Sequence, residues 1–236
     1  EELSGYLLAQ YADRFRLNEG TTVSKVILNK DNVVIEAGLN TVTGSEVVLC
    51  TNGFESIDII NNNGGNIDKS FHENVEGVIG YMSAYKEPLT KPPFAGCYAN
   101  PEEKSSELYY YVTRRPFEDE SNAKHNLVCV GGPESLIPDR GNYDSKAESP
   151  VNVSEAIDTF TNDTYNHRKP MDYQWHGLMG YTRSGVRLIG HELQNKRLLY
   201  NLGCNGVGIL TSVYGGQRIA RLINNEIVEN TIFDPQ

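Results

Sequence analysis

The segment that most restricts the fold is LLYNLGCNGVGILTSVYGGQRIARLI, residues 198–223. An apolar run without alternation passes through Gly203, Asn205, Gly206 and Gly208 into apolar residues at helical spacing. The pattern predicts a strand covered on both faces, a tight glycine turn, and a helix over 207–225. A helix that opens on glycine presents unpaired N–H groups and the positive end of its dipole, which suits partial negative charge on a ligand. The same glycines also suit close packing, as do Gly215 and Gly216 within the helix, and the sequence leaves both readings open.

A second segment of this kind stands near the start. TTVSKVIL (21–28), NVVIEAG (32–38) and SEVVLCTNG (45–53) are short β-branched runs divided by turn residues, and read as successive strands. The third lacks alternation, as expected of a strand in a parallel α/β sheet. It ends in Thr51-Asn52-Gly53, at the carboxyl edge where such sheets hold ligands. Before it, EELSGYLLAQYADRF has apolar residues at mixed helical spacing and no initial Met, and reads as a helix in a chain cut from a longer one.

The middle of the chain reads differently. After the loop NNNGGN (61–66), the runs VEGVIGYMSAYKE, ELYYYVTRR and NLVCVGG predict a second sheet, mixed or antiparallel. Alternation puts Tyr109 and Tyr111 on one face and Tyr110 on the other, either as aromatic filling or as a substrate-facing pair. A loop with Pro133, Pro138, Gly141 and Pro150 leads to a helix over 153–168, capped by Ser154, buried through Ala156, Ile157, Phe160 and Tyr165, and stopped by Pro170. Strands follow in YQWHGLMGYTRSG, VRLIG and RLLYNLG.

Composition removes some classes of function. With 21 basic and 31 acidic residues, a net charge of −10 argues against a protein that tracks nucleic-acid backbones or anionic membranes, and favours a cytoplasmic one. No apolar run is long enough to span a bilayer as a helix. Cys50, Cys97, Cys129 and Cys204 show no C-x-x-C spacing and read as reduced, mostly buried thiols, with no disulfide framework and no metal site.

SEVVLCTNGF, YYYVTRRPF with NLVCVGGPE, and WHGLMGYTRSGVRLIG followed by residues 198–223 together resemble the D-amino-acid oxidase (DAO) family of FAD-dependent oxidoreductases. The resemblance covers the C-terminal two thirds of that family's fold. It implies an α/β plus α+β architecture. A partial FAD/NAD(P)-binding domain of the GR2 type would comprise residues 1–60 and, after the chain returns, 176–236. An antiparallel or mixed-sheet substrate domain would occupy 61–175.

The resemblance further implies noncovalent FAD, with a small-molecule amine or amino acid as substrate and oxidation of its C–N bond by hydride transfer to the flavin. Cofactor contacts would fall at Val23, Thr51, Asn52 and Gly53, and at Gly203, Asn205, Gly206, Val207, Gly208 and Ile209. The pocket wall would include Tyr109, Tyr111, His176, Met179, Tyr181 and Arg183. His176 also reads as a strand histidine facing solvent, and Arg183 as part of the turn Thr182–Gly185. Amino-acid-specific relatives often carry Arg where this chain has Met179, which weakens that substrate class.

The family's opening strand and G-x-G-x-x-G turn are missing from this sequence. The chain is therefore expected to be a C-terminal fragment of a flavoenzyme, inactive alone and poor at binding FAD. Its truncated sheet would leave an apolar edge that promotes homo-oligomers. Two alternatives remain open: a noncatalytic interaction or structural module derived from a flavoenzyme, and a flavin-dependent monooxygenase-like parent.

Overall fold

A computed structural model describes residues 2–52, 56–99, 109–137 and 143–236. In chain order the elements are α1 (Glu2–Gln10), β1 (Lys25–Leu28), β2 (Val33–Ala37), β3 (Asn40–Gly44), β4 (Val47–Leu49), β5 (Asp58–Asn61), α2 (Ile67–Asn74) and β6 (Val75–Glu87). They continue as β7 (Phe94–Ala99), β8 (Tyr109–Glu118), β9 (Lys124–Leu136), α3 (Val151–Tyr165), β10 (Tyr173–Thr182), β11 (Leu188–His191), β12 (Leu198–Leu202) and α4 (Ile209–Ile223).

These strands form three sheets. The first has the order β3-β2-β1-β5, in which β5 runs parallel to β1 and the other pairs are antiparallel. The second, β11-β12-β4, joins the two segments that lack alternation, with β4 parallel to β12. All five residues of β12 are buried, because α4 lies on one side and the core of the first sheet on the other. That core contains Val26, Leu28, Leu49, Ile59, Ile67, Phe71, Leu198 and Leu202, so residues far apart in sequence share one apolar interior.

The third sheet, β10-β6-β9-β8-β7, is antiparallel throughout. Helix α3 covers one of its faces. Tyr81, Tyr85, Val112, Val128 and Val130 meet Ile157 there, and Tyr110 stacks on Phe160 with ring centroids 4.0 Å apart. Such a ring pair is worth about 0.5–1.5 kcal/mol beyond the area it buries. Burial pushes the Tyr85 hydroxyl up to about 12.

Several local expectations change. Ser154 does not cap α3: the helix begins at Val151 after Pro150, which has no side-chain cap bond, and ends at the left-handed Asn166, before Pro170. Strand β9 continues through Pro133 to Leu136, where the sequence suggested a loop. The pairing of β6 with β9 shifts register between Gly80 and Met82, and this bulge lets the strand pass the proline. Cys50 and Cys97 are exposed and only Cys129 is buried, because Cys50 follows the end of β4 and Cys97 lies on β7, the edge strand of its sheet. Helix α1 leaves Leu3 and Tyr6 largely exposed. No helix among the described residues is long and apolar enough to cross a membrane.

Candidate active site

Two strand ends and one helix start converge. After β12 the backbone passes through Gly203, Asn205 and Gly206, whose φ angles of 81°, 46° and 77° turn the chain sharply into α4. Glycine carries that conformation freely, and asparagine tolerates it better than most residues. At Gly208 a Cβ would lie 2.8 Å from the Cys204 Cβ, so glycine is required there for space.

Asn52, just beyond β4, fastens this turn from one side. Its Oδ1 accepts from the Cys204 N–H at 2.8 Å, its Nδ2 donates to Cys204 Sγ at 3.4 Å, and its carbonyl accepts from the Gly203 N–H at 3.2 Å. Asn205 fastens it from the other. Its Oδ1 accepts from the Thr182 N–H at 2.7 Å, and its own N–H donates to the Gly180 carbonyl at 3.2 Å. The turn is thus tied to the parallel sheet and to edge strand β10 at once.

Arg187 lies beneath the turn and is only 7% exposed. Its guanidinium donates to the side chain and carbonyl of Asn201 and to the carbonyl of Gly203. These acceptors are neutral, and no carboxylate pairs with it among the described residues. A full positive charge is therefore held behind the amino end of α4, where the helix dipole has the same sign.

The five-stranded sheet, which the turn meets at edge strand β10, has a second face opposite α3. Gly80 and Gly131 form part of its floor: a Cβ on Gly80 would meet the Met179 methyl at 2.6 Å, and one on Gly131 would meet Met82 Sδ at 2.2 Å and Tyr111 Cζ at 2.5 Å. Met179, Tyr111 and Met82 therefore lie over glycines. Tyr181 shares the face and donates from its hydroxyl to Glu134 Oε1 at 3.1 Å.

Of the pocket residues expected from sequence, the structure places Tyr111, Met179 and Tyr181 on one sheet face. His176 is separated from them by strand alternation. It sits directly opposite Tyr81 on the α3 side, and its Nε2 bonds the Ala147 carbonyl at 2.8 Å. Arg183 lines a cavity of about 650 Å³ with Ser70, Asn74, Glu192 and Asp234, while its N–H donates to the Asn74 carbonyl. Tyr109 pairs with Ala99 at the start of β8. Glu134, Asn201 and Arg187 were not singled out from the sequence.

Among the expected cofactor residues, Asn52, Gly203, Asn205, Gly206, Val207, Gly208 and Ile209 line one continuous turn, and Thr51 adjoins it. Val23 packs against the first core, which also underlies Leu49 and Leu202 of the converging strands. Gly53 lies outside the described residues. Three features suit a flat, partly anionic group here. Among the described residues the Thr51 hydroxyl is buried without a hydrogen-bond partner, α4 starts at Gly208 with no side-chain cap, and Val207 and Ile209 are 78% and 83% exposed beside it.

A family model described as "FAD dependent oxidoreductase" (DAO) matches residues 6–222. Solved structures with a similar fold include glycine oxidase from Geobacillus kaustophilus, at TM-score 0.61 and 16% identity over 93% of this chain and 52% of that one. NikD, an unusual amino acid oxidase essential for nikkomycin biosynthesis, gives 0.68 and 15% over 98% and 58%. Amadoriase I from Aspergillus fumigatus, a fructosyl amine:oxygen oxidoreductase, gives 0.61 and 14% over 88% and 46%. The chain thus spans about half the length of these structures. No match to a curated protein is found by sequence.

Proposed function

Since the chain belongs to the DAO family of FAD-dependent oxidoreductases, we propose that it supplies the substrate face and part of the cofactor site of an enzyme that oxidises the C–N bond of a small amine or amino acid. The observation that carries this reading is the pair of hydrogen bonds joining Asn205 to Gly180 and Thr182, which couples the uncapped start of α4 to the strand bearing Met179 and Tyr181. The cofactor side would comprise residues 1–60 and 176–236 and the substrate side 61–175, except that β10 through Thr182 pairs into the substrate-side sheet.

When bound, FAD supplies the acceptor for the hydride equivalent leaving the carbon beside the amine. The chain's own residues would bind and orient. Thr51 would offer its hydroxyl to the cofactor, and the N–H groups that begin α4 would favour partial negative charge on it, with the dipole and the buried Arg187 charge adding to the same field. Tyr111, Met179 and Tyr181 would wall the substrate and exclude water from the reacting carbon.

The reading is tested by adding FAD to the purified natural polypeptide that carries residues 1–236, removing free ligand and recording the visible spectrum. Retained absorption near about 450 nm that bleaches anaerobically on adding amines or amino acids is the expected result. Flavin that is retained but reduced by none of them would instead favour a noncatalytic module. NADPH-dependent oxygen insertion would favour the monooxygenase-like alternative.

A further inference from the structure

The sheet face proposed to hold substrate bears a carboxylate next to its tyrosines and methionines. We propose that Glu134 is the specificity-determining residue of this site and selects a substrate through its ammonium group, so that the preferred class is an amine lacking an α-carboxylate. This inference rests on the oxidase reading above.

Glu134 owes its place to the bulge in β9. Beyond the register shift it lies directly opposite Gly80, the glycine covered by Met179. The missing Cβ at Gly80 makes room for the Met179 methyl group on the same face. Tyr181 donates its hydroxyl to Oε1, which orients the group, while the side chain remains exposed and able to meet a ligand. Partial burial raises the Glu134 carboxyl above its usual value and the Tyr181 bond opposes that shift, while the carboxylate keeps further acceptor capacity that suits an ammonium ion.

Among the described residues no arginine balances it nearby on this face. Arg115 is on the same side of β8 as Tyr111 but four residues along the strand, about 13 Å away at the rise of a β-strand. Arg183 lines the cavity between α2 and the C-terminal tail. An α-amino acid would therefore bring its carboxylate toward Glu134 with no cation among the described residues at hand to offset the repulsion. A simple amine incurs no such cost.

The test uses the natural polypeptide that carries residues 1–236, loaded with FAD. Alkylammonium ions and short carboxylates are titrated as unreactive ligands while the flavin spectrum is followed, and kcat/KM is measured for matched amine and α-amino-acid pairs. The wild type is expected to bind the cations at least tenfold tighter than the carboxylates and to prefer the amine of each pair. Glu134→Gln should weaken cation binding by tenfold or more, mainly through KM, and Glu134→Asp should restore part of it. Tyr181→Phe, which frees the carboxylate from its orienting donor, should give a smaller loss. Unchanged cation binding in Glu134→Gln, or wild-type preference for the amino acids, would overturn the assignment while leaving the oxidase reading intact. Absence of turnover with every amine and amino acid would overturn both.

Discussion

Asn205 and Thr182 are joined across two sheets: the asparagine Oδ1 accepts from the Thr182 N–H at 2.7 Å and also meets the Thr182 hydroxyl at 3.3 Å. Thr182 is buried, so removing the acceptor leaves its N–H unpaired. Asn205→Ala should cost about 1–3 kcal/mol in denaturant unfolding. Asn205→Gly should cost less, because glycine accepts the positive φ that alanine resists. Both should lower FAD retention. Equal stability for the two variants would show that the left-handed turn carries no strain of its own.

The paired glycines of α4 should respond in opposite directions. A Cβ on Gly215 would lie 2.2 Å from the Asn201 Oδ1, whereas one on Gly216 meets nothing within 4 Å. Gly215→Ala is expected to lose about 1–3 kcal/mol through overpacking. Gly216→Ala is expected to gain up to about 1 kcal/mol from helix propensity. Thermal unfolding of the two single variants decides the matter.

Arg187 gives a third expectation. Arg187→Met removes the buried charge and strands the acceptors of Asn201 and Gly203, for a loss of about 1–3 kcal/mol. Arg187→Lys keeps a charge but not the planar fork that reaches both residues, and should fall between. If Met proves as stable as Arg, the guanidinium is not what holds the turn in place.

The β8–β9 hairpin should weaken in acid. Asp119 accepts from the Ser121 hydroxyl at 2.6 Å, Lys86 at 3.0 Å, His125 at 3.0 Å and the Ala123 N–H at 3.1 Å. The Ser121 bond, followed by that of Lys86, holds its carboxyl well below the usual range. A carboxylate with a depressed folded-state pKa stabilises fully above its unfolded value of about 3.9, and that contribution fades as pH falls toward the folded value. The stability difference between wild type and Asp119→Asn should therefore shrink between neutral pH and pH values below about 3.9. A difference that stays constant across that range would refute it.

Self-association is the remaining expectation. β4 ends its sheet with one edge paired to β12, and Val207, Ile209, Leu210 and Val213 are exposed on the neighbouring helix. Sedimentation should show concentration-dependent association of the 236-residue chain that Leu210→Glu reduces. A monodisperse monomer at every concentration would contradict it.

The long elements were legible in the sequence because their residues decide their own conformation. β6, β12 and α4 fall where periodicity placed them, and the alternation of the tyrosines in β8 sends Tyr110 under α3 and leaves Tyr111 on the other face. Short elements were not legible. α2 carries only Ile67 and Phe71 as buried residues, too few for a period, although Asn66 marked its start by accepting from the Lys69 N–H. β7, with its two alanines and a glycine in six residues, is specified by its partner β8 more than by itself. Of the candidate site, the glycine turn could be read directly. Glu134 could not, since its position depends on a bulge formed with a distant strand, and the burial of Arg187 arises only when α4 closes over β12.

Asn52, Asn122, Asn166, Asn205 and Asn225 are the non-glycine residues with positive φ among those described. Every one is asparagine. Compared with glycine, asparagine gives the unfolded chain fewer backbone states to lose on folding, so each of these left-handed steps costs less conformational entropy than a glycine would. At Asn166 the saving stands alone, at the end of a helix. At Asn52 and Asn205 it is combined with side-chain bonds, which at Asn52 join the ends of two strands of one sheet and at Asn205 reach a second sheet. The turn that gathers the candidate site is therefore partly pre-restricted before the chain has folded.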